Sequence, residues 1–397
     1  MDRPKLRKVD RYAHTRGTEE LVIVRDPLGV AEPFALDAEL APVLEMLDGT
    51  RTLAQIRQSL LMTQGLDLPA ADLTEFVEQL RAGGLLDDDQ FRERWAALHS
   101  DFLEATVRPP TLAGLVYPAA KDALAAQLER SIPSSVARTR PDSTVLGVLV
   151  PHGPVEPTGS LLDETLRGLP PPEALEHVVI LGTDHGPGLL PYAATDKAYR
   201  TPLGELGVAR DLLGALQRRV PWVLREQIRH RDALSLELAA LYLQHLYGER
   251  CPPVLPVLCG VTALTDPEQQ TARERFELAL GALCEDRPVL WWLSAELGHA
   301  GPAYGRPPLS STHHVELLER DAELLTALRH GDDDRLVRTC LGDHPQGPPS
   351  GGPPLVAAAR MLPAGYRGEL VRQTSVAAPG PTPGVVGVAG VRLHQPA

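Results

Sequence analysis

The segment Val145–Val150, with the sequence VLGVLV, is followed directly by Pro151-His152-Gly153. A short, continuously apolar run predicts a β-strand covered on both faces, as in a parallel sheet flanked by helices. Three further runs have the same character, namely Val178–Leu181, Val254–Leu258 and Val289–Leu293. Segments with apolar residues at helical spacing alternate with these runs, near Leu161–Arg167, Ala209–Gln217, Leu234–Tyr247, Thr271–Leu283 and Val315–Leu328. This alternation predicts an α/β domain over residues 108–394, with a last strand at Gly384–Leu393 and a loop at Gly347–Pro354.

A histidine follows three of the predicted strands, and these histidines are His152, His185 and His299. Asp184 precedes the second of them, and Glu296 lies shortly before the third. Ligands of open α/β sheets bind at the carboxyl ends of the strands. Imidazole and carboxylate groups together suit a divalent transition metal or acid–base chemistry near neutral pH. Each residue alone also fits a structural role at a turn, but the joint pattern predicts one shared pocket.

The region 18–100 has a different pattern. It starts with a strand at Leu21–Val24, continues with three short helices that each carry an apolar stripe, and ends with a short strand at Leu85-Leu86. This order predicts a small winged-helix domain. A charged helix, roughly Asp89–Leu103, then leads to Arg108-Pro109-Pro110, which we expect to mark the domain boundary.

Charge and composition exclude several classes of function. The chain of 397 residues has a net charge of −13, and residues 1–100 carry 12 Lys and Arg against 18 Asp and Glu. The predicted third helix presents Asp72, Glu75 and Glu78 against Arg81, so phosphate groups of DNA would be repelled. No apolar run approaches the ~18 residues of a membrane-spanning helix. The four cysteines are far apart and form no CxxC motif, which favours a reducing, cytoplasmic location over a zinc ribbon or a disulfide scaffold.

Hydrolase chemistry has weaker support. Ser235 and Ser294 are potential nucleophiles, but neither lies in a GxSxG elbow. A metal-free hydrolase or lyase would therefore depend on His185 or His299 as a general base.

Six short motifs resemble, in order, those of the Memo-like family. Those already quoted are Pro151-His152-Gly153, which resembles the PHAG turn, and Ser294–His299, which resembles the SSDLSH stretch. The other four are Ala113–Pro118 (compare AGxxYP, with Tyr117), Ile180–His185 (ILGxxH), Tyr199–Glu205 (Y-x-TPLGE) and Leu234–Glu237 (HSLE, with Glu237).

The resemblance implies a fold like that of the class III extradiol dioxygenases, which are non-haem iron enzymes. Some members bind iron or copper through two histidines and a cysteine, and His152 and His185 match those histidines. Bacterial members, known as protein B of the AmmeMemoRadiSam system, are often encoded beside an AMMECR-like protein and a radical-SAM protein. The resemblance therefore implies these two proteins as partners.

The sequence departs from the family pattern at three positions. Gly298 stands at the cysteine position, with His299 beside it, and Leu234 replaces the histidine of HSLE, with His230 one helical turn earlier. Glu296 replaces the aspartate of SSDLSH. Either His299, Glu296 or His230 completes a shifted metal site, or this member is metal-free. The CG element of the family corresponds to Cys340 or to Ser350-Gly351.

The first block resembles PqqD-like domains, which bind peptides by adding a strand to a sheet edge, often for a radical-SAM enzyme. The similar segments are Arg25-Asp26-Pro27, Leu47–Thr52, and Leu80 with Gly83–Leu86. We therefore favour an accessory or binding protein with a small-ligand or metal pocket and a docking domain. The alternative is a non-haem metal-dependent oxidoreductase with His152 and His185 as ligands.

Overall fold

A computed structural model describes residues 3–16, 19–135, 141–186, 188–342, 346–378 and 382–396. The chain forms two compact units, residues 1–104 and residues 105–397. Within the part of the chain that the structure describes, no helix has both the length and the apolar character needed to cross a bilayer.

The first unit combines a three-stranded antiparallel sheet with four helices. Its elements are β1 (Asp10–Arg16), β2 (Glu19–Arg25), β3 (Phe34–Asp37), α1 (Ala41–Met46), α2 (Leu53–Gln64), α3 (Ala70–Ala82) and α4 (Asp89–Glu104). Thr52 caps α2 through a reciprocal capping box with Gln55. The closing strand predicted at Leu85-Leu86 is only a single bridge between Leu6 and Leu86. Strands β1 and β3 were not predicted, because neither has a continuous apolar run.

A buried ion pair stabilises this unit. Arg7 Nη2 lies 2.8 Å from Asp26 Oδ1, and the two side chains are only 5% and 0% exposed. Asp26 also accepts hydrogen bonds from the backbone N–H groups of Leu28, Val30 and Ala31. The carboxylate therefore fixes the turn after β2.

The second unit is built on an eight-stranded sheet and a smaller three-stranded sheet. Its strands are β4 (Val107–Arg108), β5 (Val145–Val150), β6 (His177–Thr183), β7 (Tyr192–Ala194), β8 (Ala198–Thr201), β9 (Gly204–Leu206), β10 (Val254–Cys259), β11 (Val289–Ser294), β12 (His299–Ala300), β13 (Arg367–Ala377) and β14 (Val385–His394). The large sheet has the order β12-β14-β5-β11-β6-β10-β7, with β13 paired to β14. Strands β5, β11, β6 and β10 are parallel, and β7, β12, β13 and β14 pair antiparallel.

Helices cover both faces of the large sheet. They are α5 (Lys121–Ser131), α6 (Val155–Leu166), α7 (Arg210–Arg219), α8 (Leu234–Tyr247), α9 (Thr262–Thr265), α10 (Gln270–Cys284), α11 (Ser311–His330), α12 (Asp333–Leu341) and α13 (Gly352–Met361). Alternate strand residues enter different cores, because successive side chains of a strand point to opposite faces. Leu149 and Trp291 pack in the core with α7, α10, α11 and α13, whereas Val148 and Trp292 pack with α5, α6 and α8. The α/β fold predicted from the apolar runs is confirmed.

A loop and a strand of the second unit also differ from the sequence predictions. The expected loop Gly347–Pro354 is wrong at its end, since α13 begins at Gly352. Pro353 and Pro354 fit this helix because the first turn needs no intrahelical N–H donor. Strand β13 was not predicted because it is polar and half-exposed along most of its length.

Candidate functional site

His152 and His185 face each other at the carboxyl edge of the large sheet. His152 follows β5 and His185 follows β6, and the two strands flank β11 in parallel orientation. Their Nε2 atoms lie 3.2 Å apart, and the ring planes are inclined by 68°. His152 is buried and His185 is exposed, so the pair extends from the protein interior to the surface.

Glu296, which follows the middle strand β11, and His299, which begins β12, lie next to this pair. Glu296 Oε2 lies 3.8 Å from His152 Nε2 and 3.2 Å from His299 Nε2. The Glu296 side chain is 12% exposed, so it is largely shielded from water. The four residues define what we call the histidine–glutamate cluster: His152, His185, Glu296 and His299.

The electrostatics favour a neutral imidazole beside an ionised carboxylate. Burial lowers the pKa of His152, although the charge of Glu296 acts in the opposite direction. Burial tends to raise the pKa of Glu296, but His152, His299 and His185 lower it to about 2. At neutral pH the cluster therefore offers an imidazole lone pair and a carboxylate anion, which are the forms that bind a metal ion.

Surrounding groups hold His299 in place. Its ring contacts Tyr304 edge to face at a centroid distance of 4.5 Å, and its Nδ1 lies 3.2 Å from the carbonyl oxygen of Leu297. Gly298 donates its N–H to Asp321 Oδ1 at 3.0 Å. Burial and the charge of Glu296 raise the pKa of Tyr304 to about 12, so this hydroxyl keeps its proton. Tyr304 could not be predicted from the sequence, because no strand end or motif marks it.

Comparison with known proteins now identifies the family. A sequence profile of the Memo-like protein family matches residues 108–345. This chain belongs to the Memo-like protein family. A MEMO1 family protein of Aquifex aeolicus is 23% identical over 327 residues, which cover 82% of each chain. Another from Thermus thermophilus is 29% identical over 304 residues, covering 74% of this chain and 85% of the relative. A third from Methanopyrus kandleri is 31% identical over 203 residues, covering 49% and 70%.

Ser294 and Ser235 stabilise the strand ends of this Memo-like protein. Ser294 Oγ donates to the carbonyl oxygen of Ser235 at 2.6 Å, and Ser235 Oγ donates to that of Thr183 at 2.7 Å. Helix α8 approaches β6 so closely that a Cβ atom at Gly182 would lie 2.6 Å from Ser235 Oγ. Both hydroxyls are buried and engaged, so they join β11, α8 and β6 and are not arranged as nucleophiles.

Asp184 points away from the imidazoles. Its carboxylate pairs with the buried guanidinium of Arg229 and accepts the N–H of Gly186 at 2.8 Å. Burial lowers the pKa of Arg229 to about 10. The expectation that Asp184 shares the pocket is therefore replaced by a positioning role, since its contacts fix the turn that carries His185.

His230 belongs to a different buried network. Its Nδ1 lies 2.8 Å from Tyr199 Oη, and its Nε2 lies 2.8 Å from the carbonyl oxygen of Ala193. Burial lowers the pKa of His230 to about 3. Because both ring nitrogens are engaged in the interior, His230 does not complete a shifted metal site.

Glu237 and Tyr117 lie together, outside the histidine–glutamate cluster. Glu237 forms a fully buried ion pair with Arg108 and accepts hydrogen bonds from Tyr117 Oη and from the N–H groups of Thr111 and Leu112. Burial and the bond to Glu237 raise the pKa of Tyr117. These contacts join α8 to the segment after β4 and assign both residues a structural role.

Of the two candidates for the CG element, Ser350-Gly351 contacts the site. Ser350 donates its N–H to the carbonyl oxygen of Leu297 at 3.3 Å, and a Cβ atom at Gly351 would overlap the carbonyl oxygen of Glu296. Cys340 is buried against Gly352 between helices α12 and α13, and burial raises its pKa to about 12. A neutral, buried thiol there is a poor metal ligand.

The Nε2 atoms of His152 and His185 are placed as two ligands of one metal ion would be. Two ligands of one tetrahedral ion with bonds of about 2.0 Å are separated by about 3.3 Å, close to the 3.2 Å between His152 and His185. Among the described residues, the only group of three His, Cys, Asp or Glu side chains with all donors within 4.8 Å of one another is Glu176, His177 and Asp211. The donors of the histidine–glutamate cluster do not meet this distance criterion as a set of three. Glu296 would have to rotate to become a third ligand beside both imidazoles.

The group at Glu176, His177 and Asp211 lies at the other end of β6, where His177 begins the strand. Arg287 Nη1 lies 3.3 Å from Glu176 and 3.0 Å from Asp211, so a guanidinium already balances the two carboxylates. We assign this group to a surface ion network.

Proposed function

We propose that this Memo-like protein is a binding or accessory protein with a metal or small-ligand pocket at the histidine–glutamate cluster. The observation that carries the proposal is the 3.2 Å separation between the Nε2 atoms of His152 and His185. Two imidazole lone pairs at this distance repel each other unless a proton or a cation lies between them. A hydrogen bond between two neutral rings and a divalent ion bound by both nitrogens each remove this repulsion; we propose the ion, because the carboxylate of Glu296 lies 3.8 Å from His152 Nε2 and balances its charge.

His152 and His185 would hold the ion, and iron and copper are the metals we propose, because imidazole suits both. When bound, such a metal would polarise a ligand or exchange an electron with it. Glu296 supplies the compensating negative charge, 3.8 Å from His152 Nε2. Glu296 accepts a hydrogen bond from His299 when that ring carries a proton on Nε2, since the two atoms lie 3.2 Å apart.

The second candidate function is a non-haem metal-dependent oxidoreductase, favoured by the carboxylate beside the two imidazoles. Sets of two histidines and one carboxylate leave coordination positions open for a substrate or oxygen. Nitric oxide binding to the ferrous-loaded protein, followed by electron paramagnetic resonance, tests whether such an exchangeable position exists. A spectrum that nitric oxide does not change would support the binding role alone.

The N-terminal unit is the part that we propose docks a partner. Strand β1 is an edge strand of the small sheet, because it pairs with β2 in the order β1-β2-β3. An exposed sheet edge can accept an added strand from a peptide or from a partner protein. We propose a radical-SAM protein as that partner, with an AMMECR-like protein in the same system. The four cysteines are all free, as expected for the cytoplasm in which we propose these proteins meet.

Metal analysis tests the pocket. The protein is purified anaerobically, and iron, copper and zinc are measured for the native chain and for His152→Ala and His185→Ala. We expect stoichiometric metal in the native chain and at least tenfold less in either variant. His177→Ala serves as the matched control, because it removes a histidine from the surface ion network and should keep the metal. Equal metal in all four proteins would contradict the proposed pocket.

Co-purification tests the partner. A radical-SAM protein should be retained by the full chain and lost when residues 1–104 are removed. The shortened chain must still bind metal as the full chain does, which shows that its fold is intact. Retention of the partner without residues 1–104 would contradict docking through this unit.

A further inference from the structure

Two arginines outside the histidine–glutamate cluster converge on one glycine. Arg320 Nη1 donates a hydrogen bond to the carbonyl oxygen of Gly347. The guanidinium of Arg306 occupies the place where a Cβ atom at Gly347 would lie. Gly347 has a φ of +70°, so a residue without a side chain is favoured there. The two positive groups therefore both lie beside Gly347.

Two donor atoms of the Arg320 guanidinium have no acceptor in the described part of the chain. Its Nε and Nη2 atoms are shielded from water and have no hydrogen-bond acceptor among the described residues. In the same unit, the buried Arg108 and Arg229 each form an ion pair with a carboxylate. A charged donor that is buried without an acceptor costs free energy, and a second positive charge nearby adds to that cost. Burial, together with the charge of Arg306, lowers the pKa of Arg320, although Asp321 opposes this effect.

The neighbouring carboxyl group of Asp321 does not fully neutralise the charge of Arg320. Its Oδ1 is occupied by the N–H of Gly298, and its Oδ2 has no partner among the described residues. Burial raises the pKa of Asp321 to about 7, so the carboxyl is partly protonated at neutral pH. An anion bound beside Arg320 would accept hydrogen bonds from its Nε and Nη2 donors.

The arginine pair lies against the turn that carries Glu296 and His299. A Cβ atom at Gly298 would be 2.7 Å from Arg320 Nη2. On the other side, Tyr304 contacts the His299 ring, and Arg306 follows two residues later in the chain. Ser350 Oγ, in the loop that also contacts this turn, is another buried polar atom without a partner among the described residues.

We propose that Arg306 and Arg320 form an oxyanion subsite, which binds the carboxylate or phosphate group of the ligand that occupies the adjacent cluster. A guanidinium presents a planar fork of N–H donors that matches two oxygens of such a group. Because both guanidiniums lie beside the same glycine, they can contact one anion together. The proposal rests on the proposed function only in assigning the other end of the ligand to His152 and His185.

Calorimetric titration of the metal-free protein tests the subsite. Inorganic phosphate and benzoate are the probes, used separately at constant ionic strength, so the result also tells which oxyanion is preferred. We expect saturable 1:1 binding of at least one probe, weakened at least tenfold in Arg306→Met. Arg218→Met is the matched control, because it removes an exposed arginine on α7 and should bind as the native chain does. Binding of neither probe, or equal binding by all three proteins, would overturn the proposal.

A second measurement leaves both arginines in place and separates this proposal from the metal site. The ¹H–¹⁵N resonance of Arg320 Nε should shift on addition of the bound probe and saturate with the calorimetric affinity. His152→Ala should keep this shift even if it loses metal, because the arginines do not depend on the imidazole pair. A resonance that the probe leaves unchanged would overturn the subsite and leave the metal proposal standing.

Discussion

The Nε2 atoms of His152 and His185 lie 3.2 Å apart, although the residues are 33 positions apart in the chain. The sheet order produces this juxtaposition, since β5 and β6 both run parallel to β11 and flank it. The carboxyl ends of all three strands therefore open at one edge, where Glu296 follows β11 and its Oε2 lies 3.8 Å from His152 Nε2. The cluster is thus a direct consequence of parallel topology.

Glu296→Gln should shift the titration of His152 to lower pH. The charge of Glu296 raises the pKa of His152, so its removal leaves the lowering effect of burial less opposed. The His152 ring signals in a pH series of ¹H–¹⁵N spectra measure this midpoint. Glu285→Gln, at an exposed position after α10, is the control and should leave the midpoint unchanged. A His152 midpoint that moves upward in Glu296→Gln would show that the two groups do not interact as described.

Asp26→Asn should destabilise the N-terminal unit by about 3–5 kcal/mol, because it leaves the buried Arg7 without its counter-charge. Asp10→Asn, which breaks the exposed pair with Arg25, should cost less than about 1 kcal/mol. Urea unfolding followed by circular dichroism measures both free energies.

The Asp26 carboxylate should also make the free energy of unfolding depend on pH. Burial tends to raise the pKa of Asp26, but Arg7 and the backbone N–H groups lower it below its usual value of 3.8. A lowered pKa in the folded state stabilises the fold above pH 3.8, and this contribution disappears as the pH falls through the lower, folded value. The free energy of unfolding of the native chain should therefore fall more steeply below pH 4 than that of Asp26→Asn. Parallel pH profiles would contradict this assignment.

Glu237→Gln should destabilise the second unit by about 3 kcal/mol without reducing its metal content. The substitution breaks the fully buried pair with Arg108 and weakens the bonds from Thr111 and Leu112. Thermal unfolding and elemental analysis of the folded fraction check the two parts of the prediction. A stable variant that loses its metal would show that Glu237 belongs to the functional site.

The parallel strands could be predicted because their sequences are continuously apolar. Most helices could be predicted because their apolar residues recur at helical spacing. Val145–Val150 is entirely buried, and its apolar run has the same bounds as strand β5. Strand β13 could not be found this way, since an edge strand that is half-exposed needs no apolar run. In the N-terminal unit, β1 and β3 also escaped prediction, because neither has a continuous apolar run. The winged-helix and PqqD-like interpretation of residues 18–100 stays a prediction.

The rule that ligands bind at the carboxyl ends of strands indicated which loops meet, but it could not tell where each side chain points. Asp184 lies next to His185 in sequence, yet its carboxylate turns to Arg229, which comes from a distant segment. His230 and Glu237 were candidates by position in a motif, but tertiary contacts with Tyr199 and Arg108 place them in structural networks. The arginine pair at Gly347 has no local signal, because its members are brought together only by the fold.

Anomalous X-ray diffraction from crystals of the metal-loaded protein tests the central claim most directly. Data collected at the absorption edge of iron or copper locate the ion without any assumption about its ligands. We expect one major peak about 2.0–2.2 Å from the Nε2 atoms of both His152 and His185. A major peak beside Glu176, His177 and Asp211, or no peak between the two imidazoles, would contradict the account.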